Sequence, residues 1–198
     1  MNNNQFVILV NSEDEVVGKT EKMDAHKKGL LHRAFSVFIF NRKGEMLIQR
    51  RAFNKYHSGG LWTNACCSHP YPDEEVYDAA IRRLNEELGF QTPLQKAFQF
   101  IYHAEFSNGL AEHELDHVFT GSYDGPIRAN PEEVCDFCYK SIEEISASLR
   151  SHPEKFTTWF HIAFPKIVAW QTSERERERG RERGRDWKIQ KEKESGER

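Results

Sequence analysis

Apolar positions recur mostly at every second residue, with two or three stretches at helical spacing. Phe6–Val10 is a short apolar run closed by the polar residues 11–14, which reads as a strand and a turn; residues 16–18 return as its partner. Residues 34–40 form a β-rich run, 41–44 a turn, and 46–51 the second strand of a hairpin. Residues 54–60 read as a loop whose Gly59 and Gly60 let the backbone turn or approach another group. The clearest helix spans 73–88. Asp73 is its expected N-cap, Glu74 and Glu75 sit in a first turn that favours carboxylates, and Val76, Ala79, Ala80, Leu84 and Leu88 give one apolar face. Gly89 ends it. Two long strands, 97–106 and 112–123, meet at 107–109, and 134–139 is a further strand. Ser141 and Glu144 form a capping box opening a short helix to about residue 149. A last helical pattern covers 157–171, where Pro165 is expected to kink or break it. Interleaved helices and hairpin-linked strands indicate a mixed α/β (α+β) sandwich rather than a parallel doubly wound sheet.

The chain of 198 residues fits one domain of ordinary size. Its composition divides unevenly. Residues 173–198 hold 10 Lys+Arg and 8 Asp+Glu, leaving 18 basic and 23 acidic groups in residues 1–172, a net charge of −5. A mildly acidic body argues against nucleic-acid binding, which draws on many Lys/Arg–phosphate contacts. No apolar run approaches the ~20 residues that span a bilayer, so no membrane association is expected. Residues 1–5 lack the basic and apolar regions of a signal peptide. Four cysteines in this length do not make a disulfide framework, which points to a reduced, cytoplasmic protein. Residues 173–198 have almost no apolar anchors and read as a charged, low-complexity tail, disordered or transiently helical.

Four groups of residues carry candidate chemistry. In residues 64–70, Cys67 and His69 are a nucleophile pair, a metal pair or packed core; alone, a buried structural cysteine is the better reading. Glu86 and Glu87 follow Arg82 and Arg83 at helical spacing, which suits either a salt-bridged surface or a Mg²⁺ site. Glu112 and Glu114 share one face of a strand and repel each other unless solvent, a cation or a metal compensates them; on this strand alone a solvent-facing edge is the better reading. His26 and His32 precede the first long strand in a polar connection. With His69, Glu112 and Glu114 they offer three imidazoles and two carboxylates, a ligand set that suits an octahedral divalent ion. Cys135 and Cys138 have CxxC spacing without a second pair and read as structural.

These pieces occur in this order in one family. The chain resembles the type 1 isopentenyl-diphosphate Δ-isomerases, built on the Nudix fold with mixed β-sheets between helices. The resemblance rests on Lys22, His26, residues 32–36, residues 49–51, Lys55, residues 61–70, Arg82-Arg83, residues 86–89, Tyr102, Glu112, Glu114 and Trp159-Phe160. It covers about residues 4–172 and implies a Nudix-fold isomerase domain over residues 1–172, with the tail, 173–198, outside it. It implies Cys67 and Glu114 as the acid/base pair, Tyr102 on the Glu114 carboxyl group, and Trp159 facing a carbocation. It also implies a metal site at His26, His32, His69, Glu112 and Glu114, holding Mn, Mg or Zn. Glu87 would hold a Mg²⁺ that arrives with the diphosphate. Lys22, Arg51, Lys55 and Ser68 would bind that diphosphate, with help from Arg83. The implied substrate is a small diphosphate and the implied form a monomer.

Two competing readings follow. In the Nudix hydrolase signature Glu74, Arg82, Glu86, Glu87 and Gly89 fall in register, but Ser68 replaces the first Gly and Arg83 replaces the Glu after the Arg. That Glu helps to hold catalytic Mg²⁺ in the hydrolases, so its loss weakens the hydrolase reading. A non-catalytic binding protein on the same fold is the other; Cys67, Glu114 and the complete ligand set speak against it.

Overall fold

The computed structural model describes residues 5–195 except Tyr56 and Ser107. The expectations for residues 1–4, for Ser107 in the 107–109 connection and for 196–198 lie outside the described residues. Among the described residues the elements run β1 (Phe6–Val10), β2 (Val16–Glu21), α1 (Lys22–Lys28), β3 (His32–Phe40), β4 (Met46–Arg51), β5 (Trp62–Asn64) and β6 (Cys66–Ser68). They continue with α2 (Val76–Leu88), β7 (Leu94–Glu105), β8 (Ala111–Ser122), β9 (Val134–Lys140), α3 (Ile142–Ser151) and α4 (Thr158–Ser195). A single turn of 3₁₀ helix, Pro153–Lys155, precedes α4.

The strands form a mixed sheet. β3 and β8 run parallel from His32↔Glu114 to Phe40↔Ser122, β7 lies antiparallel on the far side of β8, and β6 pairs antiparallel with β3. β4 carries β5 and β9, both antiparallel. The parallel β3–β8 pair needs a long crossover, and α2 lies within it. The face of α2 read from the sequence is the one buried: Ala79, Ala80, Leu84 and Leu88 pack with Phe35, Val37, Ile39 and Leu47 in one core cluster. Leu84 has no exposed surface. Leu84→Ala should therefore destabilise the fold by about 2–5 kcal/mol, read from the midpoint of urea denaturation.

Both ends of α2 are instructive. Gly89 adopts φ 72°, and a Cβ there would lie 2.6 Å from the Arg128 carbonyl oxygen, so the expected stop holds. The start does not. Asp73 has φ 70° and the N-cap is Glu75. Glu74 is held outside the helix, accepting from the Tyr71 backbone N–H at 2.8 Å and from Arg82 at 2.7 and 2.8 Å. These bonds replace the first-turn role expected of it. The capping box of α3 forms as read, with Ser141 and Glu144 bonding reciprocally.

The chain divides into two compact units, Met1–Ile162 and Ala163–Arg198. α4 passes through Pro165 unbroken and continues to Ser195, so the helix extends beyond its expected end at 171. A proline deletes one donor from the helical ladder but leaves the bonds on either side. Beyond it Glu, Arg and Lys are good helix formers, and Arg177 pairs with Glu174 at 2.6 Å. Among the described residues, no helix is long and apolar enough to cross a membrane.

Candidate active site

Strand register assembles the site. Pairing of β7 with β8 and of β8 with β3 sets Tyr102, Glu114 and His32 in one row across three strands. Glu112 lies two residues along β8 on the same face. Both carboxylates are buried, at 5% and 7% exposure, so the solvent-facing edge is excluded. The Tyr102 hydroxyl lies 2.7 Å from Glu114 Oε2 and 3.0 Å from Glu112 Oε2; with a single proton it donates to one at a time.

The imidazoles arrive from three elements. α1, unforeseen in the sequence, carries His26, and β3 opens with His32. Each is oriented by its Nδ1, which donates to the Lys22 carbonyl at 2.6 Å and to the Leu30 carbonyl at 2.7 Å respectively. The Nε2 atoms of both are thereby the ones left to act as acceptors or ligands. His32 Nε2 lies 3.1 Å from His69 Nε2, which lies 2.9 Å from Glu114 Oε1. Ligand atoms of His26, His32, His69 and Glu114 all lie within 4.8 Å of one another, and so do those of His26, His57 and Glu112. His57 was not foreseen. Its Nε2 lies 3.2 Å from Glu112 Oε1, and its ring stacks on Phe106 and meets Trp159 edge-on.

The electrostatics suit a cation. Burial depresses His26 to about 4 and His69 to about 3, so both imidazoles are neutral near pH 7 and keep a lone pair. Burial alone would raise Glu114, but the neighbouring imidazoles of His32 and His69 outweigh it and hold the carboxyl group well below the usual range. Glu112 is raised, by burial and by the Glu114 charge. Neutral imidazoles beside a carboxylate form the donor set of a divalent metal, and the residues fit such an ion.

β6 alternates its two thiols. Cys66 has no exposed surface and donates to Glu87 Oε1 at 3.4 Å. Cys67 faces the cavity, where its thiol donates to Asn64 Oδ1 at 2.9 Å and lies 3.5 Å from Ser36 Oγ. Asn64 is fixed as an acceptor because its amide donates to the Val37 and Cys66 carbonyls. Burial pushes the Cys67 thiol far up, so it rests protonated. Behind it Ser36 donates to the buried Asp116 at 2.8 Å.

One cavity is lined by Cys67, His69, Tyr102, Glu112, Glu114 and Trp159 together with Lys22, Arg51, Lys55, Ser68, Arg83 and Glu87. His26 and His32 are fully buried and are not part of its lining. The Arg51 guanidinium lies 5.1 Å from the Trp159 ring centre. Burial lowers Lys22. Burial opposes the charge of Arg83, but Glu87 outweighs it and keeps the group firmly protonated. Glu86 pairs with Arg82 and Arg83 at the surface, whereas Glu87 is 4% exposed and accepts from Gln49 and Arg83 inside the cavity. Glu133, also unforeseen, pairs with both Lys55 and Arg83. Cys135 and Cys138 are free thiols on β9.

The NUDIX domain family matches residues 30–160. An isopentenyl-diphosphate Δ-isomerase 2 from Aromatoleum aromaticum is 47% identical over 163 residues, covering 82% of this chain and 86% of that protein. An isopentenyl-diphosphate Δ-isomerase from Pectobacterium atrosepticum is 48% identical over 172 residues, covering 86% and 96%. The crystal structure of a MutT protein from Methanosarcina mazei superimposes with a TM-score of 0.59 at 22% identity, over 70% of this chain and 94% of that one, a likeness of fold. Carried on a NUDIX fold and matched along most of its length, the chain belongs to the isopentenyl-diphosphate Δ-isomerase family.

Proposed function

We propose that this chain interconverts isopentenyl diphosphate and dimethylallyl diphosphate, with Cys67 and Glu114 as the proton-exchanging pair. The observation that carries the reading is one cavity lined by the Cys67 thiol, the Glu114 carboxyl group and four basic side chains, Lys22, Arg51, Lys55 and Arg83. The reaction adds a proton at C4, passes through a tertiary cation at C3 and removes a proton from C2. One proton enters and one leaves, which a thiol and a carboxylate holding a single proton between them can manage.

An alkene is a poor base, so the exchange needs close placement and exclusion of water. Asn64 and Ser36 fix the thiol, and Tyr102 fixes the carboxyl group. Trp159, 3% exposed, offers its π face to the cation, an interaction of about 2 kcal/mol when desolvated. Lys22, Arg51, Lys55, Ser68 and Arg83 bind the diphosphate, and Glu87 takes the Mg²⁺ that accompanies it. His26, His32, His69, Glu112 and Glu114 would hold a divalent ion, Mg, Mn or Zn. When bound, such an ion sharpens the acidity of a coordinated carboxyl group and fixes its direction. The proposed setting is cytoplasmic, with the chain acting as a monomer on a small diphosphate.

Hydrolysis is the rival chemistry, because the fold is shared. Arg83 stands where the hydrolase signature has a metal-binding Glu, and its guanidinium pairs with Glu87 at 2.7 Å. This supports a site that holds a diphosphate without cutting it. Incubation with isopentenyl diphosphate in D₂O should give deuterated dimethylallyl diphosphate and no inorganic phosphate. Stoichiometric phosphate without the isomer would remove the proposal.

A further inference from the structure

We propose that Glu133 is an internal counter-ion that the substrate's diphosphate displaces from Lys55 and Arg83. The inference rests on the reading of those two cations as diphosphate ligands. Glu133 immediately precedes β9, and its backbone carbonyl accepts from the Ala52 N–H at 2.9 Å, which anchors it beside the end of β4. A single oxygen, Oε2, pairs with the Lys55 ammonium and lies 3.2 Å from Arg83 Nη2. Lys55 and Glu133 are each 21% exposed and Arg83 is 19% exposed, so the pairs are partly screened from solvent; Arg83 also pairs with Glu86 and Glu87, at 2.8 and 2.7 Å. Burial works against the Glu133 charge, but the hydrogen bond from Lys55 and the charge of Arg83 outweigh it and hold the group ionised.

The consequence is electrostatic competition. Phosphate oxygens seeking Lys55 and Arg83 meet an anion already on both, and two anions in that space repel each other at short range. Binding is therefore an exchange of acceptors on the same donors. An anion with several charged oxygens gains contacts in the exchange, because it also reaches Lys22 and Arg51 along the same cavity. An anion with a single charge gains little. Glu133 thus lowers the affinity of the cation cluster for anions in general and leaves it to those that can compensate fully.

The test is calorimetric titration with inorganic diphosphate at fixed magnesium, comparing the intact chain with Glu133→Gln. The amide keeps the size and removes the charge. Diphosphate should bind about tenfold more tightly to the variant, because a competing state has been removed. Loss of a merely structural contact does not raise affinity. Unchanged or weaker binding by a folded Glu133→Gln would overturn the proposal. Should that variant fail to fold, Glu133→Asp, which retracts the carboxylate by one methylene, should still tighten binding several-fold, and equal affinity there would overturn it too. If the intact chain and the variants all ignore diphosphate, the diphosphate reading itself fails, and this inference falls with it.

Discussion

Cys67→Ala is expected to abolish turnover, by about 10²–10⁴-fold or more, while Cys66→Ala keeps turnover within several-fold of the intact chain. The contrast comes from β6. Adjacent residues of a strand face opposite ways, and the structure has Cys66 packed in the core cluster and Cys67 lining the cavity. Removing the Cys67 sulfur takes away the protonated group that Asn64 and Ser36 hold in place, and neither of them exchanges protons readily at neutral pH. Removing the Cys66 sulfur deletes a small buried group and its contact with Glu87, which should cost on the order of 1 kcal/mol of stability. Cys67→Ser should retain a trace, because a hydroxyl is a much weaker acid than a thiol. Single-turnover assays with thermal melting of each variant would separate chemistry from folding. Wild-type turnover in Cys67→Ala with its loss in Cys66→Ala would reverse the assignment of the catalytic thiol.

Local pattern and long-range pairing were unequally legible in the sequence. The face of α2, its stop at Gly89 and the capping box of α3 depend on neighbours within a few residues, and periodicity reveals such features directly. The start of α2 was misread because Arg82, two turns into the helix, draws Glu74 out of it, a preference no capping rule carries. β5 and β6 are three residues each, too short for an alternation to register. The row Tyr102–Glu114–His32 exists only through β3–β8 pairing between residues more than eighty positions apart, which no window along the chain contains. The family resemblance stood in for that pairing by naming the members of the cavity together. It did not name His57 or Glu133. His57 lies in a glycine-bearing loop and Glu133 at the foot of a strand, and only the folded chain sets them against Glu112 and against Lys55 and Arg83.

Removing divalent ions should cost this chain both activity and stability. Exhaustive chelation should leave no measurable turnover, and one equivalent of a divalent ion for the histidine site, with Mg²⁺ supplied alongside the diphosphate, should restore it. The stability loss follows from linkage. An ion bound only by the native state, at 100 to 1,000 times its dissociation constant, contributes about 2.7–4.1 kcal/mol, which thermal melting resolves easily. Stability should also fall with pH. His26 and His69 sit near 4 and 3 in the folded chain against an ordinary value of 6.5, so the unfolded chain binds more protons between those values. Their contribution is complete above about pH 6.5, and it declines as pH falls from there through 4 towards 3. Between about pH 6.5 and 4 this decline arises from protonation of the unfolded chain and is the same with or without the ion; only below about 4 do protons compete with the ion for the native histidines. His32→Ala should reproduce the metal-free behaviour at neutral pH, since its ring is fully buried and its Nε2 lies 3.1 Å from His69 Nε2 and 3.6 Å from Glu114 Oε1. Unchanged melting temperature and full turnover after chelation, with no metal found in the protein, would show that the histidines and Glu114 form a hydrogen-bonded cluster and that the proton exchange proceeds without an ion.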